Sequence, residues 1–172
     1  MSVIDDVLEA NRQFARGFSG QDLPGKPAKG LAVVACMDYR IPIAEALGLH
    51  NGDAVVIRNG GGVITEDALR SLLVAHYKLG VTELMIINHT NCGMMTFENQ
   101  EFLEALEKET GQTAVIPAHF HTFTDLEENV RRQFRRLESH PWIPKDLKVR
   151  GFIYDVKTGQ LQEVSRENSS AS

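Results

Sequence analysis

Leu31-Ala32-Val33-Val34-Ala35-Cys36-Met37-Asp38-Tyr39-Arg40 is the stretch on which the fold of this chain turns. Five consecutive apolar residues without alternation suit a strand covered on both faces, and such strands belong to parallel sheets. The run ends by delivering Cys36 into a polar turn. Two more runs repeat the pattern: Ala54-Val55-Val56-Ile57 leads into Asn59-Gly60-Gly61-Gly62, and Glu83-Leu84-Met85-Ile86-Ile87 leads into Asn88-His89-Thr90-Asn91-Cys92. Between them Thr65 can cap a helix that carries Glu66 and Asp67 in its first turn, where negative charge suits the dipole. Leu69, Leu72, Leu73 and His76 continue one face of that helix, and Gly80 stops it.

Outward from this strand-helix-strand unit the periodicity changes. Ile4, Val7, Leu8, Phe14 and Phe18 predict an amphipathic helix from Val3 to Phe18, ended by Gly20 and a linker through Pro27. Further helices are predicted from Asn99 to Glu109 and from Thr124 to Glu138. The second starts with Thr124 and Glu127 as a capping box and pairs Glu127/Arg131 and Glu128/Arg132 on a solvated face. A last strand over Arg150–Val156 turns at Lys157-Thr158-Gly159 into a short edge at Leu161–Val164, and residues 165–172 read as a frayed tail. The expected architecture is α/β, a mostly parallel central sheet flanked by helices. It forms one domain over residues 1–172, with residues 1–28 as an N-terminal helical arm and linker. In such sheets chemistry collects in the crevice at the carboxyl ends of the strands, where both cysteines fall.

Composition narrows the function. With 18 Lys+Arg against 23 Asp+Glu the net charge is −5, which leaves no electrostatic footprint for nucleic acid or an anionic membrane. No basic segment followed by an apolar run opens the chain, and no uninterrupted apolar stretch is long enough to span a bilayer, so a cytoplasmic protein is expected. Two cysteines are too few for a secreted disulfide scaffold, and in a reducing compartment thiols serve as ligands, nucleophiles or core fillers.

Their surroundings choose among these roles. Cys36-x-Asp38-x-Arg40 and His89-x-x-Cys92-Gly93 follow the first and third strands, so the sheet brings them together. Two thiolates and an imidazole are the donors Zn²⁺ prefers, and three protein ligands leave the fourth tetrahedral position for water, as in a catalytic site. Asp38 can either fill that position or accept a hydrogen bond from what occupies it, and the planar fork of Arg40 can hold the carboxylate ionised. Gly60-Gly61-Gly62 lacks both the third glycine of a dinucleotide fingerprint and the Lys-Ser/Thr of a P-loop, so it reads as backbone passing close to the metal pocket. His50 and His76 read as surface or core residues, His119 and His121 as a solvent-facing loop, and Trp142 as a packing anchor.

These motifs, in this order and separation, resemble the β-class carbonic anhydrases. The likeness runs from the N-terminal helix through Cys36-x-Asp38-x-Arg40, Arg58-Asn59-Gly60-Gly61 and His89-x-x-Cys92-Gly93 to Gly151-Phe152-Ile153-Tyr154-Asp155-Val156-x-Thr158-Gly159. The resemblance implies Zn²⁺ held by Cys36, His89 and Cys92, with Asp38 and Arg40 as a catalytic gating dyad. It also implies a homodimer or larger homo-oligomer, the N-terminal helix embracing the neighbour. Tyr39, Asn91 and Gly60 stand where Ser, Asp and Ala are usual; none removes a ligand, and all three bear on pocket shape.

The expected activity is hydration of CO2 to bicarbonate by hydroxide generated on the metal. Two alternatives carry their own signatures. Hydrolysis of carbonyl sulfide or carbon disulfide by the same parts releases hydrogen sulfide. A non-catalytic zinc or redox-regulatory protein would instead survive Asp38→Asn with no turnover to lose.

Overall fold

The computed structural model describes residues 2–20, 22–117 and 119–166. Along the chain run α1 (Val3–Arg16), β1 (Leu31–Cys36), α2 (Ile43–Leu47), β2 (Ala54–Asn59), α3 (Glu66–Leu79), β3 (Glu83–His89), α4 (Asn99–Thr110), α5 (Leu126–Ser139), β4 (Lys148–Tyr154) and β5 (Leu161–Val164). One sheet collects the strands in the order β2-β1-β3-β4-β5, parallel except for the antiparallel β4–β5 edge. No helix among the described residues is long and apolar enough to cross a membrane.

The central run of β1 is buried on both faces, as its unbroken apolar sequence requires. Ala32 and Val34 join the core under α3 and α5 with Leu72, Ala75, Val130 and Phe134, while Val33 and Ala35 join the opposite core with Cys36, Ile41, Ile87 and Cys92. Side chains alternate across a strand, so two different cores share one short run. Helix α5 lies so close to β4 that a Cβ built on Gly151 would sit 2.3 Å from Val130 Cγ1 and 2.6 Å from Phe134 Cζ. Only a glycine lets helix and strand meet there.

Several boundaries differ from the sequence expectation, each for a local reason. Asp125, not Thr124, caps α5, its carboxylate accepting from Glu128 N at 2.8 Å, so the expected capping box is replaced by the better acceptor one residue later. Arg131 pairs with Glu127 as expected, but Arg132 turns to Asn129 Oδ1 and Glu128 pairs with Arg135 instead. Helix α1 stops at Arg16, and α2 is a single turn after Pro42, too short for a periodic signal. The last parallel strand is shifted two residues earlier than expected. Ser165 and Arg166 are not frayed: Arg166 Nη1 lies 2.5 Å from Glu138 Oε1 and its guanidinium stacks 4.8 Å over the Phe134 ring. Residues 167–172 of the expected tail lie outside the described residues.

Candidate metal centre

Strand register builds the site. Cys36, the last residue of β1, lies opposite Asn59 of β2, and Ala35 lies opposite Ile87, two residues before His89 at the end of β3. The turn after β3 returns Cys92 to the same place, so the two sulfurs come to 3.9 Å and the three donor atoms of Cys36, His89 and Cys92 all lie within 4.8 Å of one another. All three residues are buried. Two sulfurs bound tetrahedrally to one Zn²⁺ at about 2.3 Å would be about 3.8 Å apart, close to the observed 3.9 Å. A disulfide would need about 2.05 Å, and both cysteines are free thiols.

His89 tests the fit independently. Its Nδ1–H donates to Thr90 O at 3.0 Å, which in the neutral ring selects the tautomer that turns Nε2 into an acceptor. That Nε2 is the one buried side-chain nitrogen or oxygen among the described residues without a hydrogen-bond partner. Orphaned buried acceptors are rare because each costs about 1–3 kcal/mol. A cation between the sulfurs and this nitrogen would supply the missing partner.

The thiols already behave as a pair. Cys36 is drawn well below an ordinary thiol, chiefly by the hydrogen bond from Cys92, with His89 and the backbone N–H groups of Asp38 and Gly61 acting in the same sense against burial. Cys92 is pushed up because it keeps the shared proton and is buried. Such a pair favours one thiolate, and a bound cation would displace the remaining proton.

Asp38 stands beside this cluster, its Oδ2 3.8 Å from His89 Nε2. Arg40 holds it from three atoms: the backbone N at 2.9 Å and Nε at 2.8 Å on Oδ1, and Nη2 at 2.6 Å on Oδ2. The guanidinium side-chain bond is the largest cause that keeps the carboxyl far below the usual range. Arg40 also donates to Asn91 O at 3.0 Å, tying the loop after β1 to the loop after β3. Arg58 adds a second tie across β2, donating to Cys36 O at 2.9 Å and Asp38 O at 2.6 Å.

Around the donors opens a cleft of about 710 Å³ bordered by Cys36, Asp38 and Cys92. Its outer wall is aromatic, with Phe97, Phe102 and Phe120 packed ring to ring at 4.7 and 4.8 Å.

Carbonic anhydrase sequences match residues 31–161 of the chain as a family. The chain belongs to the β-carbonic anhydrase family. It is 42% identical over 165 residues to Beta-carbonic anhydrase 1 of Mycobacterium tuberculosis, covering 96% of this chain and 99% of the relative. The solved carbonic anhydrase of Streptococcus mutans superposes with a TM-score of 0.90 at 42% identity, covering 96% and 99% of the two chains. Carbon disulfide hydrolase of Acidithiobacillus thiooxidans is 36% identical over 150 residues, covering 77% of this chain and 75% of the relative.

Against this family frame, the structure brings together all five residues singled out from sequence: Cys36, His89 and Cys92 as donors, with Asp38 and Arg40 at their side. His119 and His121 lie in a loop, as expected, with His119 exposed and His121 half-buried; what the sequence did not give is that both border the cleft, because the segment after α4 folds back and Phe120 N donates to Asn99 Oδ1 at 2.7 Å. Burial, then the nearby Arg136, His119 and Arg132 side chains, lowers the His121 imidazole pKa. Trp142 is a correction: it is 67% exposed and borders an apolar groove on α3 rather than anchoring the core. Arg58 and Asn88 stand in the quoted motifs without a role of their own; the role of Arg58 is recognisable only because β2 runs beside β1.

Proposed function

We propose that this protein is a zinc-dependent lyase of the carbonic anhydrase type, hydrating CO2 to bicarbonate and a proton. The observation that carries the reading is the buried Cys36-His89-Cys92 cluster with its orphaned His89 Nε2, opening onto a cleft beside an ionised Asp38. Cys36, Cys92 and His89 Nε2 would hold Zn²⁺, which when bound supplies Lewis acidity that makes a water acidic enough to give hydroxide near neutrality.

The chain's own residues do the rest. Asp38 accepts the hydrogen of the attacking oxygen and so turns a lone pair toward the substrate carbon. Arg40 keeps that carboxylate charged and fixed; without the guanidinium it would be free to turn toward the ion the three donors would hold and close the site. The aromatic wall of Phe97, Phe102 and Phe120 admits a small apolar molecule and limits bulk water. We take residues 1–172 as one catalytic unit, working in the cytoplasm, where a reducing environment keeps both thiols free. Helix α1 supports a homodimer or larger homo-oligomer: it buries no residue within its own chain, and Val3, Ile4, Val7 and Phe14 stay more than half exposed.

A second reading keeps the site and changes the substrate to carbonyl sulfide or carbon disulfide. The carbon disulfide hydrolase relative and the apolar cleft mouth favour it. Metal analysis with parallel CO2, COS and CS2 assays on one preparation tests both. Stoichiometric zinc with rapid CO2 hydration is expected; negligible CO2 hydration with fast sulfide release would replace the first reading by the second.

A further inference from the structure

Four polar residues are buried among the described residues: His89, whose part is given above, and Asn88, Asn129 and Gln133. These three amides form one hydrogen-bonded chain that ends on the Gly61–Gly62 backbone behind Cys36. At its outer end Arg132 Nη2 donates to Asn129 Oδ1 at 2.6 Å. Asn129 Nδ2 then donates to Asn88 Oδ1 at 2.7 Å, and Asn88 Nδ2 donates to the carbonyls of Gly61 at 3.0 Å and Gly62 at 3.2 Å. Gln133 braces the middle, giving Nε2 to Asn129 O at 3.0 Å and accepting from Ile64 N at 2.8 Å. Asn88 is wholly buried, so the low dielectric around it makes each of these bonds costly to break.

The glycine segment this chain grips is pressed against the backbone of a donor residue. A Cβ on Gly62 would lie 2.7 Å from Cys36 N, 2.9 Å from Ala35 C and 2.9 Å from Ile87 O. Asn59 fixes the entry to the segment, its side chain donating to Val63 O at 2.8 Å and accepting from Val63 N at 2.9 Å. It leaves the two central carbonyls to Asn88. Asn88 also precedes His89 on β3, so one side chain sits between the backbone behind Cys36 and the residue that presents the imidazole.

We infer that Asn88 and Asn129 are positioning residues of the metal centre, setting the Gly61–Gly62 backbone against Cys36 so that its sulfur stands where His89 and Cys92 can share a cation with it. This rests on the zinc reading above and adds to it a cause, reaching from helix α5, for the donor geometry. Neither amide touches the cleft; each acts through the loop.

The test measures Zn²⁺ affinity by competition with a chelator, and the thiolate-to-metal absorption of the Co²⁺-loaded full-length chain. Asn88→Asp keeps size and loses the two donors to the loop; Asn129→Asp loses the donor one bond earlier and serves where the first folds poorly. Leu137→Ala, in the core on the same helix, is the control for lost stability alone. Both Asn variants are expected to bind Zn²⁺ about 10–100-fold more weakly and to shift the Co²⁺–thiolate band, while Leu137→Ala lowers the Tm with affinity and band unchanged. Variants at Asn88 and Asn129 that lose Tm like Leu137→Ala yet keep wild-type affinity and band would overturn the inference and leave the zinc reading standing. A wild-type chain that takes up neither ion would overturn both.

Discussion

Arg40 and Asp38 form a closed fork, Nε on Oδ1 at 2.8 Å and Nη2 on Oδ2 at 2.6 Å, although His89 Nε2 stands only 3.8 Å from the same carboxylate. Asp38 is thereby turned to its partner in the loop. Its folded pKa lies below the ordinary value of 3.8. A depressed carboxyl favours the fold above its unfolded pKa and loses that contribution as pH falls through the folded one. Arg40→Leu should therefore lower the Tm at neutral pH, and the gap to wild type should start to close below about pH 4. Thermal melts of both proteins from pH 7 to pH 3 check this; a gap that widens with acid would contradict it.

Asp38→Asn removes the proton acceptor and keeps the shape. Zinc content should be unchanged while kcat/KM for the preferred substrate falls about 10²–10⁴-fold. A variant with wild-type turnover would show that this carboxylate takes no part in the reaction.

The donors behave differently. Cys36→Ser, His89→Ala and Cys92→Ser each leave two ligands of the three brought within 4.8 Å, so zinc retained through dialysis against a chelator should drop to background, and activity with it. In the wild-type chain, removing the ion should expose two titratable thiols to an alkylating reagent, and restoring Zn²⁺ should protect both.

Gly62 has φ +61° and no room for a methyl group against Cys36 N and Ile87 O. Both obstacles are backbone and cannot rotate away. Gly62→Ala should cost about 2 kcal/mol or more. Denaturant melts measure it, and a loss under 0.5 kcal/mol, the scatter of ordinary surface substitutions, would refute the close approach.

Helix α1 leaves an apolar stripe in water, with Phe14 65% exposed and Val7 62% exposed. Val7→Glu with Phe14→Glu should shift sedimentation toward the monomer without lowering the melting temperature of the isolated chain. An unchanged assembly would place the subunit contact elsewhere.

The local pattern of the chain was enough to predict five strands, every helix but the short α2, and the five residues at the centre of the site. An unbroken apolar run such as Leu31–Ala35 and a spaced stripe such as Leu126, Val130, Phe134 and Leu137 report burial through periodicity, which is a property of near neighbours. Cys36, His89 and Cys92 were legible because few residue types bind zinc, Cys36 and His89 close neighbouring strands of one sheet, and Cys92 follows in the turn after the second.

What periodicity cannot carry is which distant side chains meet. Asp125 displaced Thr124 as the cap of α5 because two adjacent acceptors compete, and only the helix geometry chooses. His119 and His121 reached the cleft because the segment after α4 folds back over it. Asn88 and Asn129, 41 positions apart, became partners only when α5 docked on the sheet at Gly151. Sequence thus determined which atoms could grip a cation, since that depends on residue chemistry. The tertiary structure decided where those atoms stand and what holds them, since that depends on strand register and helix docking.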